Sequence, residues 1–242
     1  MLLTEVIHLK FQIIVKTGMR IGGTEGNMEI GSTVDTNLAV LLHPITEYPY
    51  LPGSSLKGKI RSLIEKVHGA FEKNPPHTLI TTGLPCCCGR VTCRVCPLFG
   101  AHNNVGPPSG PTRIRVRDAY LTSGSEEQFD KRKKDVGVLL EHKTENMANR
   151  NGGTQKGSLR TGERVPPGTA FDAEIVLQIF DQDTSRRETF LNTVGQGLGL
   201  LADADSLGAS GSRGYGAVTI SKVNQSSKRV EDIRIPFEIA TV

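Results

Sequence analysis

The segment "PGSSLKGKIRSLIEK", residues 52–66, forces a choice between two architectures. Gly53, Gly58 and Lys59 have the G-x-x-x-x-G-K spacing of a nucleotide-binding P-loop, which joins a buried parallel strand to a helix. Two features argue against that reading. The motif needs Ser or Thr after the lysine, because that hydroxyl ligates Mg²⁺; here the next residue is Ile60. The preceding "EYPYLP" carries Pro49 and Pro52, which give no ladder donor and do not suit a central strand. The stretch therefore reads as a Gly-Ser turn that opens an amphipathic helix over residues 55–67. Leu56, Ile60, Leu63, Ile64 and Val67 recur with helical period on one face. Ser54 or Ser55 suits the N-cap.

The polar side of this helix is informative. Lys57, Lys59 and Arg61 occupy its first turns, where the macrodipole prefers negative charge. A locally unfavourable choice made repeatedly points to an anion nearby. The free N–H groups of the helix start and the lysines would bind phosphate together.

Outward from this helix, the chain alternates strands and helices. Ile7, Leu9, Phe11, Ile13 and Val15 alternate with polar residues and predict a first strand. Residues 17–37 are glycine-rich and loop-like, and "LAVLLHP" (38–44) predicts a short apolar strand. "RIRVRDAYLT" (113–122) alternates as a strand with Arg113, Arg115 and Arg117 on one face. Residues 126–135 form a charged surface segment. Residues 136–171 form a polar, basic, glycine-rich hairpin suited to a polyanion, with Arg150, Lys156 and Arg160 and no acidic residue between Glu145 and Glu163. "FDAEIVLQIF" (171–180) predicts a strand and "RRETFLNTVGQGLGLLAD" (186–203) a helix. Gly208, Gly211, Gly214 and Gly216, with Ser210, Ser212 and Arg213, make a loop whose N–H groups form an anion nest. A last strand follows over 217–223. Strand–helix–strand blocks of this kind predict an α+β sandwich of ferredoxin-like type with long insertions.

Composition bounds the function. The chain has 242 residues, enough for a proper core, with 37% apolar and 22% charged residues and a net charge of +4. Aromatics make up 5% and tryptophan is absent, which disfavours recognition by rows of bases stacked on aromatic rings. No apolar run of membrane-spanning length occurs, and Glu5, His8 and Lys10 interrupt the N-terminal run, so it is no signal peptide. A cytoplasmic protein is expected, with no membrane partner.

All five cysteines fall in "PCCCGRVTCRVC", residues 85–96. A disulfide framework would staple distant segments, which this cluster cannot do. Cys93 and Cys96 form C-x-x-C, half of a structural zinc site, and Gly89 after Cys88 suits a zinc-knuckle turn. The other half comes from Cys86, Cys87 or Cys88, with His77 as a possible fourth ligand and His68 and His102 as further candidates. The preferred set is Cys88, Cys93 and Cys96 with Cys86 or His77. Four protein ligands leave no open position, so this zinc is structural rather than catalytic.

"TGMRIGG", "IGSTVDTN", "YLPGSSLKGKIRSLIE", "CRVCPLFG", "RIRVRDAYL", "TENMANR", "GERVPPGTAF" and "LGASGSRGYGAV" occur in the order seen in RAMP proteins. Over roughly residues 5–222 the chain most resembles the backbone subunit of type III, Csm-type CRISPR effector complexes. The resemblance implies a single RAMP domain over 1–242 with a modified RRM-like (ferredoxin-like) core. It also implies a zinc-binding insertion at about 68–112 and a thumb-like hairpin at about 136–166. It further implies copies assembled head to tail along a CRISPR guide RNA beside other complex subunits, and cleavage of complementary single-stranded target RNA once per subunit. By motif, Asp35 is the residue needed for cleavage, with Mg²⁺ or Mn²⁺ as cofactor; the family's usual Ile-Gly-x-x-Asp is one residue longer here. The RNA contacts carried over are Arg20, Gly22 and Gly23; Ser54, Ser55, Lys57 and Lys59; Asn149 and Arg150; and Gly211, Arg213 and Gly214. Contacts to the backbone would make the guide's sequence immaterial. The alternatives are a non-catalytic guide-binding subunit, or a repeat-processing RAMP ribonuclease that would need an RNA-facing histidine.

Overall fold

The structure, a computed structural model, describes residues 1–22, 40–68, 84–103 and 106–233. Asp35, Gly23 and His77 lie outside the described residues.

The protein is mixed α/β with an antiparallel main sheet. Strand β1 (Leu3–Val15) is its centre, and every neighbour pairs with it or with its partner β6 (Ala170–Phe180). β2 (Ile114–Val116) and β3 (Tyr120–Leu121) pair with β6, while β7 (Val218–Ile220) and β8 (Asn224–Arg229) pair with opposite ends of β1. The sheet order is β2-β6-β1-β7. The alternation in β1 does what period two dictates: Ile7, Leu9, Phe11, Ile13 and Val15 are buried on one face. Phe171, Ala173, Ile175, Leu177 and Ile179 of β6 join them.

Two helices cover that face. α1 (Gly53–Val67) buries Leu56, Ile60, Leu63 and Ile64, and α4 (Arg187–Ala204) buries Phe190, Val194, Leu198 and Leu201. α1 and α4 also pack on each other, so each helix is held by the sheet and by the other helix. Between these elements lie α2 (Cys96–Phe99), α3 (Ser123–Val136) and a separate two-stranded sheet of β4 (Glu141–Glu145) and β5 (Arg160–Arg164). No helix among the described residues is long and apolar enough to cross a membrane.

Several local expectations change. Residues 38–44 form no strand among the described residues; Val40 and Leu42 make isolated bridges to Gly22 and Pro49. Arg113–Thr122 is not one strand, because the chain leaves the ladder after Val116 and rejoins β6 only at Tyr120. Arg113 is not on a common face with Arg115 and Arg117: it is buried, with its Nε 2.9 Å from Asp183 Oδ2. Residues 126–135 belong to α3, which buries Ser125 and Phe129 and is capped by the Thr122 hydroxyl. Val67, at the last turn of α1, is exposed rather than part of the apolar stripe. β8 is polar throughout and exposed, held by its ladder to β1 rather than by burial.

Candidate nucleic-acid interface and metal centre

The start of α1 is set by two backbone constraints. Leu51 and Ala119 exchange reciprocal N–H···O bonds of 2.9 Å, which ties the entry of the helix to the β2–β3 connection. At Gly53 a Cβ would overlap the Val116 carbonyl, so only glycine permits this approach. The N-cap is Pro52, and neither Ser54 nor Ser55 caps the helix. Asp118 does that work from across the groove: its Oδ1 accepts the Gly53 N–H at 2.7 Å. A carboxylate here satisfies an orphan donor and complements the dipole. The helix end is therefore occupied by the chain's own anion, and the cationic side chains beside it become the more telling feature.

A groove of ≈ 630 Å³ opens there, lined by Ser54, Lys57, Arg115, Arg117, Asp118 and Tyr120 among others. Lys57 is half-buried, and its ammonium is pushed below the usual lysine range by burial first, then by the charges of Arg61 and Arg115. Arg115 is exposed, and neither it nor Lys57 forms an ion pair among the described residues. Arg117 instead reaches Glu174 at 3.0 Å, which His8 also meets at 2.8 Å.

Lys57 and Lys59 do not act together. Two positions apart on a helix is a rotation of about 200°, and Lys59 meets Asp205 at the end of α4 at 3.2 Å. Arg61 turns toward the cysteine segment, donating to Glu65 (2.8 Å) and to the Cys86 carbonyl (2.7 Å). One basic run thus splits into a groove cation, a helix–helix bridge and an anchor for the cysteine segment.

A second basic site forms where three distant segments meet. Met19 and Val165 bridge the first loop to β5, and the Ala209 N–H donates to the Arg20 carbonyl at 2.8 Å. At Gly208 a Cβ would overlap that same carbonyl, which explains a glycine at this point of the loop. Gly211 and Arg213 lie in a short 3-10 turn closed by Gly214 at φ 84°. A small cavity of ≈ 100 Å³ is lined by Arg20, Lys143, Glu145, Arg160, Arg213 and Tyr215 among others. Its lining carries four cations against the carboxylates of Glu145 and Glu163, and Arg20 and Arg160 form no ion pair among the described residues. Tyr215 donates to Glu145 at 2.6 Å, and Lys143 and Arg213 approach the same carboxylate at 3.3 and 3.7 Å. The Tyr215 hydrogen bond, opposed by burial and aided by Lys143 and Arg213, holds the Glu145 carboxyl below its usual range. Gly22 is bridged to Val40, so the segment carrying Asp35 leaves and returns at one place beside this site. Asn149 and Arg150 do not line the cavity. They are exposed at the hairpin's far end, where the Asn149 side chain accepts the Asn151 N–H at 3.2 Å.

Arg115, Arg117, Lys143 and Tyr215 were not among the contacts inferred from sequence. The alternating arginines and the basic hairpin were the available signals; neither says which cation lacks a carboxylate.

The cysteine segment closes into one cluster. The Sγ atoms of Cys86, Cys88, Cys93 and Cys96 all lie within 4.8 Å of one another, with Cys96 at 3.5 Å from Cys86 and 3.6 Å from Cys88. These separations exceed the S–S bond of about 2.05 Å. They approach the edge of about 3.8 Å expected for a tetrahedron with Zn–S of about 2.3 Å. Four thiols and no carboxylate suit a soft-ligand ion such as zinc. Cys86 is the fourth member, and Cys87 is not in the set. Val95 and Cys96 N–H groups donate to Cys93 Sγ at 3.3 and 3.4 Å. Hydrogen bonds from Cys86 and Cys96 push the Cys93 thiol down, against the effect of burial. The knuckle is pinned from both sides. Glu65 accepts the Cys86 N–H at 3.0 Å, and Arg186 donates to the Cys93 carbonyl at 3.0 Å and to the Val91 carbonyl.

A family model described as the RAMP superfamily matches residues 12–219. The chain is 36% identical over 234 residues to the CRISPR system Cms endoribonuclease Csm3 of Methanothermobacter thermautotrophicus, covering 92% of this chain and 86% of that protein. Against the protein of the same name from Methanocaldococcus jannaschii the identity is 38% over 220 residues, covering 90% and 80%. Among solved structures, a Csm3–Csm4 subcomplex of a type III-A CRISPR-Cas interference complex matches with TM-score 0.56 and 27% identity, covering 96% of this chain and 83% of that one. Csm3 of Methanopyrus kandleri, at TM-score 0.59 and 22% identity, shares the fold, covering 95% and 79%. The chain belongs to the RAMP superfamily and, within it, to the Csm3 family.

Proposed function

We propose that this protein is the guide-RNA-binding backbone subunit of a type III CRISPR interference complex and an endoribonuclease that cuts the complementary target RNA. The observation that carries this reading is the near full-length identity to proteins named Csm3 endoribonuclease. The strand order β2-β6-β1-β7 with helices on one face supports a ferredoxin-like core. The zinc-binding insertion at about 68–112 and the hairpin at about 136–166 extend that core within a single domain. The protein acts in the cytoplasm, in copies along the guide and beside other subunits.

The groove beside α1 takes the phosphate backbone. Ser54 and Ser55 are exposed at the helix start, and Lys57 and Arg115 supply charge that forms no ion pair among the described residues. Arg20, Gly22, Gly23, Gly211, Arg213 and Gly214 make a second contact at the meeting of the loops, and Asn149 and Arg150 a third at the hairpin tip. Lys59 serves the helix pair first, through Asp205. Because these groups meet backbone rather than base edges, guide sequence does not matter.

Cleavage falls to Asp35. Its carboxylate takes the proton of a ribose 2′-hydroxyl as that oxygen attacks the adjacent phosphorus. The bond to the 5′-oxygen breaks, and that oxygen leaves as a hydroxyl after taking a proton from water. A carboxylate oxygen is a hard donor of the kind Mg²⁺ or Mn²⁺ takes, and the ion when bound neutralises phosphate charge.

Reconstituted complex with guide RNA, Mg²⁺ and end-labelled target is expected to yield fragments at regular spacing. Asp35→Ala is expected to keep guide and target binding and lose about 100-fold or more in cleavage rate. Unchanged cutting by that variant would remove Asp35 from the chemistry. Absence of cutting by the natural protein would leave a purely structural subunit.

A further inference from the structure

Aromatic rings are scarce in this chain, with four tyrosines and no tryptophan, yet two of the tyrosines and a histidine gather at one exposed place. The backbone puts them there. The Leu51–Ala119 bridge sets Tyr50 beside Tyr120, and the His43 N–H donates to the Tyr48 carbonyl at 2.8 Å, folding His43 back over the same spot. Tyr50 and Tyr120 stack with centroids 6.0 Å apart and planes 24° apart. His43 stands edge-on to both, at 6.0 and 5.7 Å. Its Nδ1 accepts the N–H groups of Ile45 and Thr46 at 3.3 Å each, which fixes the ring. Tyr120 is thus supported on one side and still 49% exposed.

The position of Tyr120 gives the cluster its meaning, because this ring also lines the groove that holds Lys57 and Arg115. A rigid aromatic face beside two cations that form no ion pair among the described residues matches a ligand with a flat ring on an anionic chain. A protein segment seldom supplies both, whereas each nucleotide of a single strand does. We propose that Tyr120, backed by Tyr50 and His43, is a platform on which one nucleobase of the bound RNA stacks while the neighbouring phosphate lies on Lys57 and Arg115. This rests on the reading of the groove as an RNA site and adds a base contact to it. Stacking tolerates any base, since every base has a π-face, so the platform is compatible with a guide of arbitrary sequence. The low aromatic content argues against rows of stacked bases, whereas a single platform needs only the rings found here.

The test uses the full chain and two short single-stranded RNAs of equal length. One carries bases throughout and the other is abasic along a central stretch as long as the footprint of one copy. Tyr120→Ala is expected to weaken binding of the base-bearing strand about tenfold and to leave the abasic strand unchanged. Tyr120→Phe, which keeps the ring, is expected to bind both strands as the natural protein does. Equal losses on the two strands, or none on either, would overturn the platform. So would a variant that binds one copy per strand normally but loads fewer copies, which would make the ring a protein–protein contact. If the natural protein binds neither strand, the RNA reading fails and takes the platform with it. If it binds both strands equally and Lys57→Ala still lowers the salt dependence, the platform alone falls.

Discussion

Arg113 and Arg115 are two residues apart in one short stretch, and they have opposite fates. Arg113 is sealed into the protein: Asp183 meets its Nε and its second terminal nitrogen, the Ser109 and Pro111 carbonyls accept from its first, and the Phe180 ring lies 5.2 Å away. Arg115 stands exposed in the groove beside Lys57, in no ion pair among the described residues. The same contrast separates larger regions. On the knuckle side the half-buried cations have internal partners: Arg61 meets Glu65, and Arg186 donates to backbone carbonyls beside the four thiols. The groove side leaves positive charge over. Matched charge maintains the structure, because removing one partner strands the other in a poor solvent. Unmatched charge costs a fold stability, and its persistence at a groove points to a ligand.

Breaking the matched side should have the larger effects. The double change Cys93→Ser with Cys96→Ser is expected to abolish a metal content of about one zinc per chain, read by elemental analysis. Because binding and folding of such a site are one process, the knuckle should also become protease-sensitive. Natural protein without zinc would refute the site directly. Arg113→Ala is expected to lose about 3–5 kcal/mol, since it leaves Asp183 buried and alone; Arg115→Ala should stay within about 0.5 kcal/mol of the natural protein. Similar melting temperatures for these two variants would erase the comparison. Between the two regions lies Gly53, where Gly53→Ala must push the helix start away from Val116. A loss of about 1–3 kcal/mol is expected, with RNA affinity falling alongside because the groove is displaced.

The smallest effect concerns acid. Glu145 has its carboxyl lowered from 4.5, first by the Tyr215 hydrogen bond. A carboxyl depressed by folding contributes stability above its unfolded value, and that contribution disappears as pH falls through the folded one. Tyr215→Phe should therefore reduce stability at pH 7 by no more than about 1 kcal/mol for this partly exposed group, with the difference shrinking as pH falls below 4.5 and through the lower folded value. A difference that persisted in acid would assign the loss to packing.

Much of the scaffold was legible because it follows local periodicity. β1, β6, α1 and α4 carry apolar residues at the spacing of two or of about 3.6, and burial follows it. The failures come from partners far away in the chain. Asp118 caps α1 from 65 positions downstream, Asp205 takes Lys59 from 146, and Asp183 takes Arg113 from 70. No local pattern carries that information, so three arginines with perfect alternation looked alike. β8 escaped because its residues are polar throughout and only the ladder to β1 orders them. α3 escaped because its buried side is little more than Ser125 and Phe129. The cysteines could be read as a cluster from their spacing, but that Cys86 rather than Cys87 joins it depends on how the segment packs against Arg61 and Glu65 of α1.

The most direct test of the central claim is the salt dependence of RNA binding by four proteins: natural, Lys57→Ala, Arg115→Ala and Lys59→Ala. Removing a cation that neutralises one phosphate of a single strand should flatten the slope of log K against log salt concentration by about 0.7. Lys57→Ala and Arg115→Ala are each expected to show that change, while Lys59→Ala keeps the natural slope. Parallel slopes for all four, or a flattening confined to Lys59→Ala, would contradict the assignment of the groove.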